Sequence, residues 1–325
     1  MGGPPELESL AGAGYAHLLE QLGAARVIAD QLGDQSAIAL LETLQRLCAN
    51  RAAHHPSLEQ VVGGGATVTS APARLNAYFL GRFRAYLNGQ PISNWRKKSE
   101  ALFKYLVLQR DVPVHRDQVC ALFWPEAESQ AARNCLNVTL HALRKSLNAV
   151  GGPMPEGGPI LFADDRYQLN PAIECWCDTD LFHEHVAHGQ AAAIAGDHTA
   201  AIAAYELAAA LYSGDLLADD RYEEWVISPR ERLRDSFLAM LQHLGQLYAE
   251  TLQHQQAIAC AQKILTYDNC HEEAHRLVMR CYAAQGQRGL AMRQYALCRD
   301  TLARELGLLP MQETEQLAEA IRSRR

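Results

Sequence analysis

The stretch Glu126-Ala127-Glu128-Ser129-Gln130-Ala131-Ala132-Arg133-Asn134-Cys135-Leu136-Asn137-Val138-Thr139-Leu140-His141-Ala142-Leu143-Arg144-Lys145-Ser146-Leu147-Asn148 reads as one long amphipathic helix. Ala132, Leu136, Leu140, Leu143 and Leu147 recur at three- and four-residue spacing and so share a face. The other face carries Gln130, Asn134, Asn137, His141, Arg144 and Lys145. Between Ser129 and Pro155 there is no Asp or Glu. A helix that is merely solvated ordinarily interleaves both signs of charge and gains i,i+4 pairs; a polar face without acids tolerates phosphate. Asn can pair bidentately with an adenine edge and Arg with a guanine edge, so Asn134, Asn137 and Arg144 suit readout of a DNA major groove. His141 and Lys145 suit contacts to bases or phosphates.

The flanking sequence supplies the elements that would mount such a helix. Upstream, Phe83, Ala85 and Leu87 alternate with Arg82, Arg84 and Tyr86 along Tyr78–Leu87, a strand with one buried face. Asn88-Gly89 then provides the pair of positive-φ residues a tight hairpin prefers. Helices are expected over Lys97–Gln109 and His115–Phe123, bounded by Asp111-Val112-Pro113 and Trp124-Pro125. Downstream, Ile160 and Phe162 before Asp164-Asp165, and Tyr167 and Leu169 after it, make a second hairpin. Strands, three helices and a terminal hairpin are the element order of a winged helix. Arg96, Lys97, Lys98 and Arg116 stand near the starts of the two earlier helices, where backbone N–H groups also favour anions, and Arg166 stands in the wing. These are candidates for contacts that position the protein on a phosphate backbone.

Charge is distributed to match. The whole chain of 325 residues carries a net charge of −7, yet residues 75–172 hold 12 Lys and Arg against 8 Asp and Glu. Residues 1–74 hold 4 against 7, and residues 173–325 hold 14 against 22. The middle segment alone is basic, and local charge bears on nucleic-acid binding more than the sum does. At 48% hydrophobic residues the chain can build two or three cores. It has no apolar run long enough for a membrane span, and Met1-Gly2-Gly3-Pro4-Pro5-Glu6 lacks the layout of a signal peptide, so the expected location is the cytoplasm. Nine scattered cysteines in a reducing compartment suggest small buried hydrophobes rather than a disulfide framework.

Two further segments flank the basic one. Residues 62–74, with Val62-Gly63-Gly64-Gly65-Ala66, read as a Gly-rich linker, and residues 1–61 as an accessory helical segment built on Leu18, Leu19, Leu22, Val27, Ile38, Leu40, Leu41, Leu44 and Leu47. From Asp178 onward the pattern is helical with a 34-residue period: Phe237/His271, Leu241/His275, Tyr248/Tyr282, Ala249/Ala283 and Ala257/Ala291. Gly196, Ala201 and Tyr205 repeat Gly286, Ala291 and Tyr295, so a short right-handed solenoid of tetratricopeptide-like helix pairs is expected.

Two motifs raise other chemistry. His271-Glu272-Glu273-Ala274-His275 fits the H-E-x-x-H pattern of zinc hydrolases, but the repeat period places both histidines at packing positions and no third ligand is specified. Cys175-Trp176-Cys177 with His183, His185 and His188 offers soft and imidazole ligands, though the alternation suits a strand. Packing is the preferred reading of both, so no catalytic residue, metal or cofactor is expected.

Taken together, Trp95-Arg96-Lys97-Lys98-Ser99-Glu100-Ala101-Leu102, Leu122-Phe123-Trp124-Pro125 and Ala131-Ala132-Arg133-Asn134-Cys135-Leu136-Asn137-Val138 resemble the OmpR-type winged helix of the SARP (antibiotic regulatory protein) family. Tyr212-Ser213-Gly214-Asp215-Leu216-Leu217, Trp225 with Arg230-Glu231-Arg232-Leu233, and Leu302-Ala303-Arg304-Glu305-Leu306-Gly307 with Pro310 resemble that family's bacterial transcriptional activator domain. The resemblance implies a mainly α chain with small β sheets: a DNA-binding domain over residues 75–172 and a helical-repeat domain over 173–325. It implies a non-enzymatic activator that binds direct repeats in double-stranded promoter DNA through the third helix, with Arg133 among its contacts. RNA polymerase would be a partner, and a homo-oligomer could form on DNA. The rival reading is a helical-repeat scaffold whose winged helix serves protein contacts. Three departures stand out. His115 replaces a serine able to cap the second helix, Asp164-Asp165 replaces a Gly-containing wing turn and sets acid near phosphate, and residues 1–74 have no counterpart.

Overall fold

The structure is a computed structural model that describes residues 72–220 and 222–323. The accessory segment 1–61 and nearly all of the Gly-rich linker lie outside the described residues.

The described chain opens with strand β1 (Arg74–Tyr78), which pairs antiparallel with β2 (Arg84–Leu87), and β2 pairs with the two-residue β3 (Gln90–Pro91). Leu75 faces Leu87 and Ala77 faces Ala85, all buried, while Arg74 and Arg84 point to solvent. The alternation expected for Phe83, Ala85 and Leu87 holds, but Tyr78–Leu87 is not one strand. It breaks at Gly81, whose φ of +92° an L side chain rarely adopts.

Three helices follow: α1 (Lys97–Leu108), α2 (Arg116–Phe123) and α3 (Ser129–Val150). The short β4 (Val114–His115) separates the first two. Replacing the capping serine with His115 leaves α2 capped, because the imidazole itself supplies the acceptor. His115 Nδ1 accepts from the Asp117 N–H at 3.2 Å and the Gln118 side chain accepts from the His115 N–H at 3.2 Å. α3 starts three residues later than the pattern suggested, since Glu126 and Ala127 are taken up in a turn closed by Ala127 N–H to the Trp124 carbonyl. The helix ends at Gly151, with φ of +77°.

The wing is β5 (Ile160–Ala163) and β6 (Arg166–Leu169), joined by Asp164-Asp165 with both residues at positive φ, as a two-residue hairpin turn demands. β6 also pairs with β4, giving the order β4-β6-β5. The chain then returns as β7 (Glu174–Cys177) parallel to β1, and the first sheet reads β3-β2-β1-β7. A parallel pair needs a long crossover, and here the crossover is the entire three-helix body and wing. The sheet therefore closes with a strand that lies beyond residue 172.

Residues 178–323 form three helix pairs and a final helix: α4 (Asp178–Ile194) with α5 (His198–Leu211), α6 (Glu224–Glu250) with α7 (His254–Tyr267), α8 (Glu272–Ala284) with α9 (Arg288–Glu305), then α10 (Gln312–Ser323). The repeat period is visible in the side chains. Ala201, Ala257 and Ala291 are fully buried, each in the second helix of its pair. The turns within the pairs hold Gly196 and Gly286 at positive φ, and the position 34 residues before Gly286 is Leu252, also at positive φ.

The repeat domain docks on the first sheet and on α1 through Asp178 and through two of the stretches that resemble the family's activator domain, Tyr212–Leu217 and Trp225 with Arg230. Asp178, 4% exposed, accepts from the N–H groups of Phe79 at 2.8 Å and Leu80 at 3.0 Å. Ser213 Oγ donates to the Leu80 carbonyl, Leu217 N–H to Phe79, and Gly81 N–H to Asp215. A Cβ on Gly81 would stand 2.8 Å from Ser213 Oγ, so the strand break is what admits this loop. Arg230 donates to the carbonyls of Leu216, Leu217 and Asp220, and Trp225 packs on Tyr105 and Phe123. Lys104, 4% exposed, reaches from α1 to Asp220 at 2.8 Å and Glu100 at 3.1 Å over the Phe83 ring.

Candidate nucleic-acid interface

The face of α3 that packs inward is the one the spacing marks: Ala132, Leu136, Leu140, Leu143 and Leu147 are all buried, against α1 and α2. The opposite face is solvent-exposed along its length, with Gln130, Asn134, Asn137, His141 and Lys145 in sequence. Gln130 donates to Asn134 Oδ1 at a long 3.4 Å, a bond easily exchanged for a ligand. Val138, 61% exposed, lies amid these polar groups. Sequence reasoning passed over it because it is apolar, although it stands four residues after Asn134, and an apolar side chain there can meet a thymine methyl. Neither α1 nor α3 has a side-chain cap at its N-terminus, and the first turn of α3 has no acid.

The remaining candidates divide by what they touch. Arg96 and Lys97 are exposed at the start of α1, and Arg166 is exposed in β6. Four others are anchored. Lys98 Nζ donates to the Phe123 carbonyl at 3.1 Å, closing the C-terminus of α2, and lies over the Phe123 ring. Arg116 pairs with Asp165 at 3.2 Å, so one acid of the wing turn is spent on α2. Arg133 pairs with Asp117 at 3.3 Å, tying α3 to α2, and Arg144 donates to the Ile160 carbonyl at 3.1 Å, tying α3 to the wing. The Nε groups of Arg116 and Arg133 are buried with no partner. These arginines set the relative positions of wing, α2 and α3; the exposed set presents the surface.

The hydrolase pattern is structural. His271 is the N-cap of α8, its Nδ1 accepting from the Ala274 N–H at 3.3 Å. His275 is 2% exposed, with Nε2 at 3.0 Å from the Asn269 carbonyl and Nδ1 at 2.7 Å from the Gln294 amide. That arrangement places the proton on Nε2 and leaves Nδ1 accepting, so neither nitrogen is open to a metal. Burial lowers its pKa and keeps the ring neutral. The recurrent tyrosines are packing groups as well: Tyr205 lies on Gly189, Tyr248 donates to Glu206, and Tyr295 to Glu315. Among the described residues no three His, Cys, Asp or Glu side chains gather as a metal site, and no helix is long and apolar enough to cross a membrane.

Residues 177–322 match the family model described as the bacterial transcriptional activator domain. The transcriptional regulatory proteins EmbR of Mycobacterium bovis and Mycobacterium tuberculosis are 26% identical over 263 residues, 80% of this chain and 66% of theirs. The chain thus spans just under two thirds of the length of these curated relatives. A solved structure of Mycobacterium tuberculosis EmbR in complex with a low affinity phosphopeptide superposes with a TM-score of 0.67 at 23% identity, covering 77% of this chain and 65% of that one.

Proposed function

We propose, for a chain that belongs to the SARP family of transcriptional regulators, that its winged helix binds promoter DNA with α3 in the major groove. The observation that carries this reading is the exposed, acid-free stripe Gln130, Asn134, Asn137, Val138, His141 and Lys145 on a helix whose other face is sealed in the core. Asn134 and Asn137 read base edges, Val138 and His141 complete the surface in the groove, and Lys145 meets phosphate. Arg96, Lys97 and the open N–H groups of the first turns of α1 and α3 hold the backbone, and Arg166 does so from the wing. Arg116, Arg133 and Arg144 fix the frame that presents these groups. The helix pairs of residues 178–323 brace the sheet and offer surface for RNA polymerase and for a second copy on adjacent direct repeats, in the cytoplasm.

The test is capture of genomic DNA fragments by the purified chain at near-physiological salt, beside Asn134→Ala with Asn137→Ala. A short repeated motif upstream of genes, lost in the double variant while far-UV helicity is unchanged, is the expected result. Featureless recovery from both proteins would sink the reading and favour a protein-interaction scaffold.

A further inference from the structure

β7 carries two thiols on one side. Cys175 and Cys177 are two residues apart in an extended strand, and Trp176 between them packs on Tyr78, with ring centroids 5.1 Å apart. Their sulfurs are 3.8 Å apart. Cys177 is 1% exposed, whereas Cys175 is half-buried and lines an open cavity of about 400 Å³ together with Arg110, Gln168 and Asn170. Arg110 Nη1 lies 3.7 Å from Cys177 Sγ and its other arm is paired with Asp180 on α4. A guanidinium, a reachable sulfur and an adjacent sulfur in reserve are the parts of a thiol that reacts with an oxidant and is then resolved by its neighbour.

We propose that Cys175 and Cys177 are an oxidisable dithiol in which Cys175 is oxidised first, by a hydroperoxide entering through the cavity, and Cys177 closes the disulfide. The Cys175 thiolate sulfur attacks the distal oxygen of the hydroperoxide. The O–O bond breaks and its electron pair leaves on the alcohol or water that takes up the proton, giving a sulfenic acid at Cys175. The Cys177 thiol then attacks that sulfur and the S–OH oxygen departs as water. Overall two thiols are oxidised to one disulfide and one hydroperoxide is reduced to an alcohol, or to water, with one further water released. The direction of the Cys175 pKa agrees: the hydrogen bond from Cys177 lowers it, against burial, with Arg110 adding to the effect.

The location gives the bond a reader. Consecutive same-side residues of a strand stand about 6.6 Å apart, near the upper end of the range a disulfide spans, so closure draws β7 out of full extension. β7 is the edge partner of β1, the residue after Cys177 is the Asp178 that holds Phe79 and Leu80, and Arg110 would lose its sulfur partner. Oxidation therefore acts on the junction between the winged helix and the helix pairs.

The full chain, reduced and freed of reductant, is exposed to hydrogen peroxide, quenched by alkylation in denaturant, and mapped by peptide mass. The expected product is the wild-type peptide following Arg166 lighter by two hydrogens, with both alkylation marks lost at Cys175 and Cys177. In Cys177→Ser, dimedone should instead label Cys175; in Cys175→Ser neither product should form. If Cys175 and Cys177 both remain alkylated in the wild type under exposure that oxidises the exposed Cys135, the proposal is overturned, and that arm stands even where a variant does not fold. A mixed disulfide between chains in place of the internal one overturns it too.

Discussion

Replacing Asp178 by alanine should loosen the attachment of the repeat domain to the first sheet more than any change on the α3 surface. The carboxylate is buried and takes up two backbone N–H groups, those of Phe79 and Leu80, at 2.8 and 3.0 Å. Each buried donor left without a partner costs about 1–3 kcal/mol, so two cost about 2–6 kcal/mol. Part of that is returned because the wild type already bears the strain of a buried carboxylate, whose pKa burial raises above the ordinary aspartate value in spite of the backbone bonds. A net loss of about 2–4 kcal/mol follows. Asp178→Asn should lose less, since its amide oxygen still accepts from one of the two donors. Urea denaturation followed by circular dichroism is the assay, with midpoints compared at equal slope. If Asp178→Ala lay within about 0.5 kcal/mol of the wild type, a change typical of an unremarkable surface site, the two bonds could not be what holds the sheet to α4.

Three further outcomes follow from the same contacts. Asp215 accepts from Tyr212 and is paired with Arg234; burial raises its pKa, but these partners outweigh it and hold the group below the usual carboxylate range. Its folded pKa being depressed, the stabilisation is present above about pH 4 and fades as pH falls through the folded value, so the stability gap between wild type and Asp215→Asn should narrow on acidification in a denaturant series run from pH 7 to pH 3. Gly189→Ala would set a Cβ 2.4 Å from the buried Tyr205 ring, and overpacking of this kind costs about 1–3 kcal/mol, to be read as a lowered thermal midpoint. Under the proposed DNA reading, Lys145→Ala should weaken binding to all sequences alike and reduce the salt slope of log K by about 1 in a titration across ionic strengths; an unchanged slope would remove Lys145 from the phosphate contacts.

Much of the architecture was legible because it rests on periodicity. The buried face of α3, the wing strands around Asp164-Asp165 and the 34-residue repeat all follow from where apolar and small side chains recur. The misread features depend on partners distant in the chain. Tyr78–Leu87 has the alternation of one strand, yet Gly81 breaks it to admit Ser213, 132 residues later. His115 reads as a missing serine until the ring is seen accepting from Asp117. Cys175-Trp176-Cys177 has the alternation of a strand, as found, but its partner is β1, a hundred residues earlier, and only the fold supplies that pairing.

The candidate surface divides in the same way. Sequence alone selected α3, its acid-free polar face and the basic segment around it, because spacing and charge are local properties of the chain. It could not separate the cations that present a surface from those that hold the frame. Lys98, Arg116, Arg133 and Arg144 look like Arg96, Lys97, Lys145 and Arg166 in composition, and differ only in having Phe123, Asp165, Asp117 and Ile160 within reach. A long charged side chain takes whichever partner the packing of helices and wing brings near, and only tertiary structure decides which one that is.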